Sequence, residues 1–170
     1  MKKIILALIT VFALTSCQQQ KIAYMDNGEV INEYEGKKEI EAKFKTLDDA
    51  FKKKTDSIAQ AFQLEAQAFQ LEAEKLSQTK AQEKYQALTQ KQQYLQQQTQ
   101  FEQQQMQQAF QVEIDSAIVK VKAFVKDYGK KNGYTYILGT SDAAASVLYG
   151  TEENDITRTI IEALNASYKK

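Results

Sequence analysis

The chain contains no His, no Trp and no Pro, and it has a single Cys among its 170 residues. The absence of His excludes imidazole acid–base chemistry, Ser-His-Asp catalytic triads and His-bearing metal sites. A Gly-rich phosphate-binding loop is also missing, which argues against ATP-driven activity. We therefore predict no catalytic, cofactor-binding or metal site and do not expect an enzyme.

The charges of the chain balance, with 22 basic and 22 acidic residues. Loss of Lys2 and Lys3 with a cleaved signal would leave 20 against 22, a net charge of −2. Proteins that bind nucleic acid show an excess of positive charge, so we predict no nucleic-acid partner. The single Cys excludes an intrachain disulfide, even in an oxidising compartment.

The N-terminus has the features of a targeting segment. Lys2 and Lys3 precede an apolar run over residues 4–14 that is too short to span a bilayer. The run ends in Leu14-Thr15-Ser16-Cys17, which is similar to a bacterial lipobox, in which the Cys is acylated and becomes the first mature residue. The alternative is an ordinary cleaved signal with an unrelated Cys. We favour a lipoprotein signal peptide over residues 1–16 and a membrane anchor at Cys17, because Cys17 stands where the motif requires it.

The longest uniform stretch covers residues 37–126, which include no Gly and no Pro. Good helix formers fill it, and residues 61–67 are repeated almost unchanged as residues 68–74. Large apolar residues recur at spacings of three, four and seven, as in helices that pack as a coiled coil. The predicted seam consists of Phe44, Phe51, Ile58, Phe62, Phe69, Leu76, Phe110, Ile114 and Val121.

This arm could be one helix of roughly 135 Å or a hairpin with two halves of roughly 65–70 Å. One short strand is predicted before the arm and two after it, and a lone strand lacks a hydrogen-bonding partner unless the chain returns. We therefore predict a helical hairpin over residues 37–128, with its tip near residues 77–80.

The far half of the arm is rich in Gln, at 12 of the 19 positions from Gln90 to Gln108. It is either an ordinary solvated helix surface or a neutral polar lining that contacts an unfolded chain weakly. Lysines between Lys120 and Lys131 suit a helix C-terminus, where the dipole favours positive charge. The aromatic residues of this half are assigned to the seam rather than to partner contacts: Tyr85, Tyr94, Phe101 and Phe110.

Residues 17–36 are predicted to form the first part of a small body. Residues 21–25 alternate as a strand does. The Asn27-Gly28 pair after them suits a hairpin turn, whereas Asp26 with Glu29 suits a capping box that starts a helix. The apolar spacing that follows favours the helix, which Gly36 would separate from the arm.

Residues 129–170 are predicted to complete the body. Gly129 or Gly133 would end the arm in the left-handed cap conformation. Residues 134–138 and 146–149 are predicted strands separated by a turn, and Asp155 would cap a final helix. A body of this size buries little surface as a monomer, so we expect it to oligomerise. The residues predicted for a shared β-core are Ile22, Tyr24, Tyr136, Ile137, Leu138, Val147 and Leu148.

The order of these segments resembles the Skp/OmpH family of periplasmic chaperones over essentially the whole mature chain. The resemblance rests on short motifs around the Gln-rich arm: residues 21–26 (KIAYMD), 35–38 (EGKK), 136–138 (YIL), 147–149 (VLY), 155–157 (DIT) and 164–165 (LN). It implies a jellyfish-like homotrimer in the periplasm, with a small β-barrel body and three hairpin tentacles. Unfolded outer-membrane β-barrel proteins would be held between the tentacles without ATP and kept from aggregating. Family members are typically soluble and strongly basic, so no lipopolysaccharide-binding patch is transferred to this nearly neutral, lipobox-bearing chain.

The predicted fold class is therefore α+β, mostly α. A rival function is a lipid-anchored structural coiled-coil scaffold of the cell envelope, which needs neither a β-body nor a hollow interior. We favour the chaperone, in the periplasm and anchored to the outer rather than the inner membrane.

Overall fold

The computed structural model of the protein describes residues 20–141 and 146–169. They divide into two compact units. One comprises the described parts of Met1–Tyr34 and Val119–Lys170, and the other is Glu35–Ile118. Long helices and a small sheet confirm the predicted α+β, mainly helical class. The predicted signal peptide and Cys17 lie outside the described residues.

The first unit begins with strand β1 (Ile22–Asp26) and helix α1 (Asn27–Glu33). The carboxylate of Asp26 accepts a hydrogen bond of 2.9 Å from the backbone N–H of Glu29, which caps the helix. Of the two interpretations of Asn27-Gly28, the helix start is therefore confirmed.

The break between α1 and the next helix lies at Tyr34, whose backbone is extended (φ −67°, ψ 119°). Gly36 was predicted to mark this break, but it lies buried in the first turn of helix α2 (Glu35–Ala73). The Tyr34 side chain is buried and packs edge-on against Tyr168, with ring centroids 5.4 Å apart. Packing of this side chain, rather than the freedom of a glycine, thus accompanies the break between the two helices.

The second unit contains α2 and the first part of helix α3 (Gln78–Lys131), joined by residues 74–77. The arm is a hairpin, and the single-helix alternative is wrong. Its predicted tip, residues 77–80, overlaps the observed connection only at Ser77. The connection contains no Gly, and it turns through i→i−3 bonds from Lys75 N to Glu72 O and from Leu76 N to Ala73 O.

Helix α3 ends in a Schellman motif. The N–H of Tyr134 bonds to the carbonyl of Gly129 at 2.9 Å, and that of Gly133 bonds to Lys130 at 3.4 Å. Gly133 is the residue with positive φ, at 70°. Of the two predicted cap glycines, Gly133 therefore takes the left-handed conformation.

Strand β2 (Tyr136–Thr140) pairs in parallel with β1, in a register that places Ile22 opposite Tyr136 and Tyr24 opposite Leu138. It starts two residues later than predicted and runs on to Thr140. Parallel strands need a long crossover connection, and here α1 and the complete arm form that connection.

The strand predicted at residues 146–149 is wrong, because that segment has no strand structure. Its place beside β1 is taken by Asp155, which forms an isolated parallel bridge with Tyr24. The N–H of Ile156 bonds to the Tyr24 carbonyl at 2.9 Å, so this edge of β1 is already hydrogen-bonded.

The core of this unit lies between the sheet, α1 and helix α4 (Thr157–Tyr168). Val30 of α1 and Ile160 of α4 are its fully buried side chains. At the start of α4, the Asp155 carboxylate accepts a hydrogen bond of 2.9 Å from the N–H of Thr157. This bond gives Asp155 the capping contact that was predicted, although Ile156 is the residue immediately before the helix.

Candidate binding surfaces

One face of the β1–β2 sheet presents apolar side chains to solvent. Ile22, Tyr136 and Leu138 are 42%, 57% and 41% exposed, and Tyr24 beside them is half-buried. These four side chains share a face because residues paired across strands point the same way. We call them the sheet patch. A contiguous apolar surface of this kind is typical of a protein–protein interface.

The opposite face of the sheet is internal. Ala23 and Met25 are buried there, beneath α1 and α4. Ile137 pairs with Ala23 and so points to this internal face, where a Cβ on Gly129 would lie 3.2 Å from its Cδ1. The prediction that Ile22 and Ile137 share one core is therefore wrong, because successive residues of a strand alternate between faces.

The other two residues predicted for the shared core lie outside any strand. Val147 is half-buried, whereas Leu148 is 92% exposed and Tyr149 is 86% exposed. A Cβ on the neighbouring Gly150 would overlap the ring of Tyr24, so this segment passes directly over the edge of the sheet patch.

The Tyr24 hydroxyl stays protonated at neutral pH. Partial burial raises its pKa, and the nearby carboxylates of Asp155 and Glu152 raise it further. The sheet patch is therefore uncharged, as an apolar interface requires.

In the second unit, α2 and α3 run antiparallel and are linked by Lys–Glu ion pairs. The pairs are Lys43–Glu113 (2.5 Å), Lys54–Glu102 (2.6 Å), Lys84–Glu72 (2.8 Å) and Lys91–Glu65. The two residue numbers of every pair add up to 156, so the helices keep one register along the hairpin. The partners are partly exposed, so the pairs define this register more than they stabilise it.

The pKa is lowered for two carboxyl groups of these pairs. The hydrogen bond from Lys84 lowers the pKa of Glu72. Hydrogen bonds from Lys54 and Gln98 lower the pKa of Glu102. Both glutamates are therefore ionised more fully than a free carboxylate when the pH falls.

The nine residues predicted for the seam are all buried or half-buried. Phe44 packs edge-on against Phe110, with ring centroids 5.2 Å apart and an interplanar angle of 68°. Leu76 lies in the connection rather than on a helix, and Val121 belongs to the other unit.

The assignment of the Gln-rich half's aromatic residues to the seam is wrong for three of the four. Tyr85, Tyr94 and Phe101 are 64%, 64% and 59% exposed, and only Phe110 lies in the seam. Phe101 and Phe110 are nine residues apart, which is two and a half helical turns, so they project from opposite sides of α3. That spacing is visible in the sequence and could have separated them.

Three exposed side chains form an apolar line on α3. Tyr94 and Val112 are 18 residues apart, five complete turns, and Phe101 lies seven residues after Tyr94. Val112 is 67% exposed. We call Tyr94, Phe101 and Val112 the outer stripe. Its neighbours are mostly glutamines, so a partner that binds to the outer stripe would remove few charged groups from water.

A second apolar surface of the arm is a small groove with a volume of about 330 Å³. Ile58, Phe62 and Leu95 form its apolar walls, and glutamine side chains such as Gln92 and Gln96 form part of its rim. It lies where the apolar pattern of α2 slips by four residues, between Ile58 and Phe62. A slip of this kind locally relaxes the packing of two helices.

Across residues 20–141 and 146–169, no group of three or more acidic or Cys side chains is placed to hold a metal ion. Within the same residues, no helix has both the length and the apolar character needed to cross a membrane.

Comparisons with known proteins place the chain in a family. A family model described as outer membrane protein (OmpH-like) matches residues 21–164. Comparison with curated proteins gave no significant match. A solved structure from Caulobacter crescentus, described as an outer membrane chaperone (OmpH-like), has 15% sequence identity and a TM-score of 0.76. The similarity covers 87% of this chain and 85% of that one, which shows a shared fold. Because the family model matches well over half of its residues, the chain belongs to the OmpH-like family.

Proposed function

We propose that the protein is an ATP-independent holdase chaperone of the periplasm, which binds unfolded outer-membrane proteins and prevents their aggregation. Membership of the OmpH-like family supports a chaperone role, and the similar Caulobacter crescentus structure is described as an outer membrane chaperone. The observation that carries the proposal is the outer stripe, a set of large apolar side chains that the hairpin leaves in solvent.

The outer stripe suits weak contact with many sequences. Tyr94, Phe101 and Val112 offer apolar surface, and the surrounding glutamines donate and accept hydrogen bonds without carrying charge. On the other helix, Leu64 and Leu71 are 66% and 79% exposed. An unfolded β-barrel protein exposes apolar side chains and unpaired backbone groups, and surfaces of this composition can contact both kinds of group.

The proposal includes assembly into a homotrimer through the sheet patch. A two-stranded sheet is marginally stable alone, and the sheet patch leaves apolar side chains uncovered in the single chain. Pairing with further copies would bury Ile22, Tyr136 and Leu138. Three arms would then surround one unfolded client.

The proposal also includes a lipid anchor at Cys17. Only residues 18–21 separate Cys17 from β1, a reach of roughly 14 Å when extended. Acylation of Cys17 would therefore keep this end of the protein close to the membrane surface, and we favour the outer membrane.

The test measures aggregation of a denatured outer-membrane β-barrel protein diluted into buffer with the purified chain, by light scattering. The variant Tyr94→Ser, Phe101→Ser, Val112→Ser removes the outer stripe. The matched control replaces three exposed glutamines of the same helix that do not flank the outer stripe, as Gln82→Ser, Gln86→Ser, Gln103→Ser. Without nucleotide, the wild-type chain and the control should suppress aggregation equally, and the stripe variant should need several-fold more protein.

Failure of the wild-type chain to suppress aggregation at several-fold excess would contradict the holdase and favour the coiled-coil scaffold. Equal activity of the stripe variant and the control would leave a holdase that binds clients elsewhere. Because dispersed apolar contacts are not weakened by salt, activity should change little up to about 0.5 M salt.

A further inference from the structure

Two apolar grooves open along the arm. The first groove is the one described above, with apolar walls at Ile58, Phe62 and Leu95. The second groove has a volume of about 260 Å³, and its apolar walls include Phe44 and Phe110. Four of these five side chains belong to the seam, so both grooves are continuous with the interface between α2 and α3.

The grooves and the interhelical ion pairs lie on different flanks of the hairpin. On α2 the paired residues are spaced by eleven, eleven and seven residues, which are close to whole numbers of helical turns. At about 100° per residue, Ala59 of the first groove projects about 140° from Lys54. Lys45 of the second groove projects about 160° from Lys43. Both grooves thus open away from the line of ion pairs, and we call this side the grooved flank.

The distance between the two grooves suits an extended chain. Phe44 and Ile58 are 14 residues apart on α2, which is about 21 Å at 1.5 Å per residue. An extended chain covers this distance in about six residues. Because side chains alternate between the faces of a strand, two side chains six residues apart lie on the same face. One extended segment can therefore place one side chain in each groove.

The rims of the grooves suit an uncharged partner with free backbone groups. Exposed glutamines of α3 contribute to both rims: Gln92, Gln96 and Gln100 at the first groove and Gln107 at the second. Amides donate and accept hydrogen bonds without carrying charge, and Glu41 and Lys45 bring one charge of each sign to the second groove. An extended segment has unpaired backbone groups that can bond to such amides, whereas a helix satisfies these groups internally. The rims therefore favour an extended partner.

We propose that the grooved flank binds one extended segment of an unfolded outer-membrane protein, with large apolar side chains about six residues apart in the two grooves. A strand of a transmembrane β-barrel carries apolar residues at alternate positions over about 9–11 residues, so it contains pairs with this spacing. The proposal rests on the holdase function and identifies the part of the client that is bound. It concerns a surface separate from the outer stripe, which projects from α3 on the side opposite the seam.

The test uses peptides of about nine residues, the length of a short transmembrane strand, with two Trp residues among Ser, Thr and Gln. The chain contains no Trp, so Trp emission reports burial of the peptide alone. In the test peptide the Trp residues are six residues apart and lie on the same face of an extended segment. In the matched peptide, of identical composition, they are seven residues apart and lie on opposite faces. Each peptide is titrated with the purified chain.

The test peptide should bind at least about tenfold more tightly than the matched peptide, because its second Trp binds intramolecularly once the first is held. Ala59→Glu and Gln107→Glu each place a carboxylate at the rim of one groove, which entry of an apolar side chain would desolvate. Each variant should reduce the affinity of the test peptide to that of the matched peptide.

The control variants are Gln60→Glu and Gln105→Glu, which add the same charge to exposed positions outside both grooves. They should bind the test peptide as the wild-type chain does. Circular dichroism should show equal helicity in all these proteins, because every substituted residue is exposed.

Three results would overturn the proposal. The first is equal affinity of the two peptides, or no binding of either. The second is an equal effect of the groove variants and the control variants, which would mean that charge alone weakens binding. The third is tighter binding of a helical peptide whose Trp residues are about four turns apart, which would identify a helix as the occupant. A chain that suppresses aggregation but does not distinguish the peptides would remain a holdase without this site, whereas failure to suppress aggregation contradicts the holdase whatever the peptides do.

Discussion

Thr157 is the side chain whose replacement tests the packing of the first unit most directly. It is the one buried polar residue among those described, at 6% exposed. Its hydroxyl accepts a hydrogen bond of 2.9 Å from the N–H of Asp26, at the end of β1, and donates one of 2.5 Å to the Asp155 carboxylate. The last N–H of the strand is thus satisfied by a side chain of α4. Thr157→Val has the same shape without the hydroxyl, so we expect it to remove this hydrogen bond between β1 and α4.

The loss of stability in Thr157→Val depends on which group is left without a hydrogen-bond partner. The Asp26 N–H would remain in a partly buried position without an acceptor, at about 1–3 kcal/mol. The Asp155 carboxylate is exposed and keeps its bond from the Thr157 N–H, so water can replace the lost hydroxyl. We therefore expect a loss of about 2 kcal/mol in the free energy of unfolding, which lowers Tm by about 4–8 °C in a chain of this length.

Thermal unfolding by circular dichroism measures the effect, at one protein concentration because assembly also shifts Tm. Thr157→Ser is the matched control, since it keeps the hydroxyl and removes one methyl group, at about 1 kcal/mol. The valine variant should melt below the serine variant. If the valine variant equals wild type or melts above the serine variant, the hydroxyl does not connect β1 to α4 and the reasoning is refuted.

Three further predictions concern the sheet and the hairpin. Gly139→Ala should cost about 1 kcal/mol in a urea melt, because the added Cβ would overlap only the side-chain amide of Asn27, which can rotate away, and a loss of several kcal/mol would show that this side chain is held in place. Ile22→Asp should dissociate the proposed trimer by placing a charge in the sheet patch, so an unchanged mass by light scattering would exclude this face as the interface. Because the pKa values of Glu72 and Glu102 are lowered in the folded chain, their ionised carboxylates stabilise the hairpin. This contribution is complete above the ordinary glutamate pKa of about 4.3 and is lost as the pH falls through the lowered values. We therefore expect replacement of their lysine partners by Gln to reduce the loss of helicity between about pH 5 and pH 3, the range around that pKa. An acid transition identical to that of the wild-type chain would show that the ion pairs do not contribute.

The helices could be predicted because their signals are local. Composition and apolar spacing indicated both halves of the arm, and Asp26 with Glu29 indicated the start of α1. The rule that left-handed backbone favours glycine reduced the cap to Gly129 or Gly133, and only the structure identifies it as Gly133. The hairpin itself followed from the need of β1 for a partner strand.

The strand errors arose because strand pairing depends on distant residues. Residues 146–149 have the composition of a strand, but the edge of β1 is occupied by Asp155, which no local pattern near Val147 reveals. Ile137 was assigned to the shared core by its composition, whereas its orientation is set by the register with β1. Each error concerned a partner, not an intrinsic preference.

The outer stripe was missed for a different reason, since the aromatic residues in the Gln-rich half of the arm were all assigned to one seam. The seam of the hairpin spaces its residues by three, four and seven, and Phe101 fits such a spacing from Tyr94 even though both are exposed. Only the comparison with Phe110, two and a half turns away, shows that α3 has two apolar sides. A helix with one apolar side can pack in a hairpin, and a second apolar side requires a second partner.

The constant register of the ion pairs links the length of the arm to its sequence. Because β1 and β2 are parallel neighbours, any crossover long enough to return the chain satisfies the sheet, which therefore does not fix the length of the hairpin. The ion pairs do constrain it, since the helices face each other in one register over the four pairs from Lys43–Glu113 to Glu72–Lys84. The seven-residue repeat within 61–74 adds two turns to α2, and the seam continues only if α3 lengthens by the same two turns. A change in arm length thus requires a matched change in both helices, while the sheet and the sheet patch remain as they are.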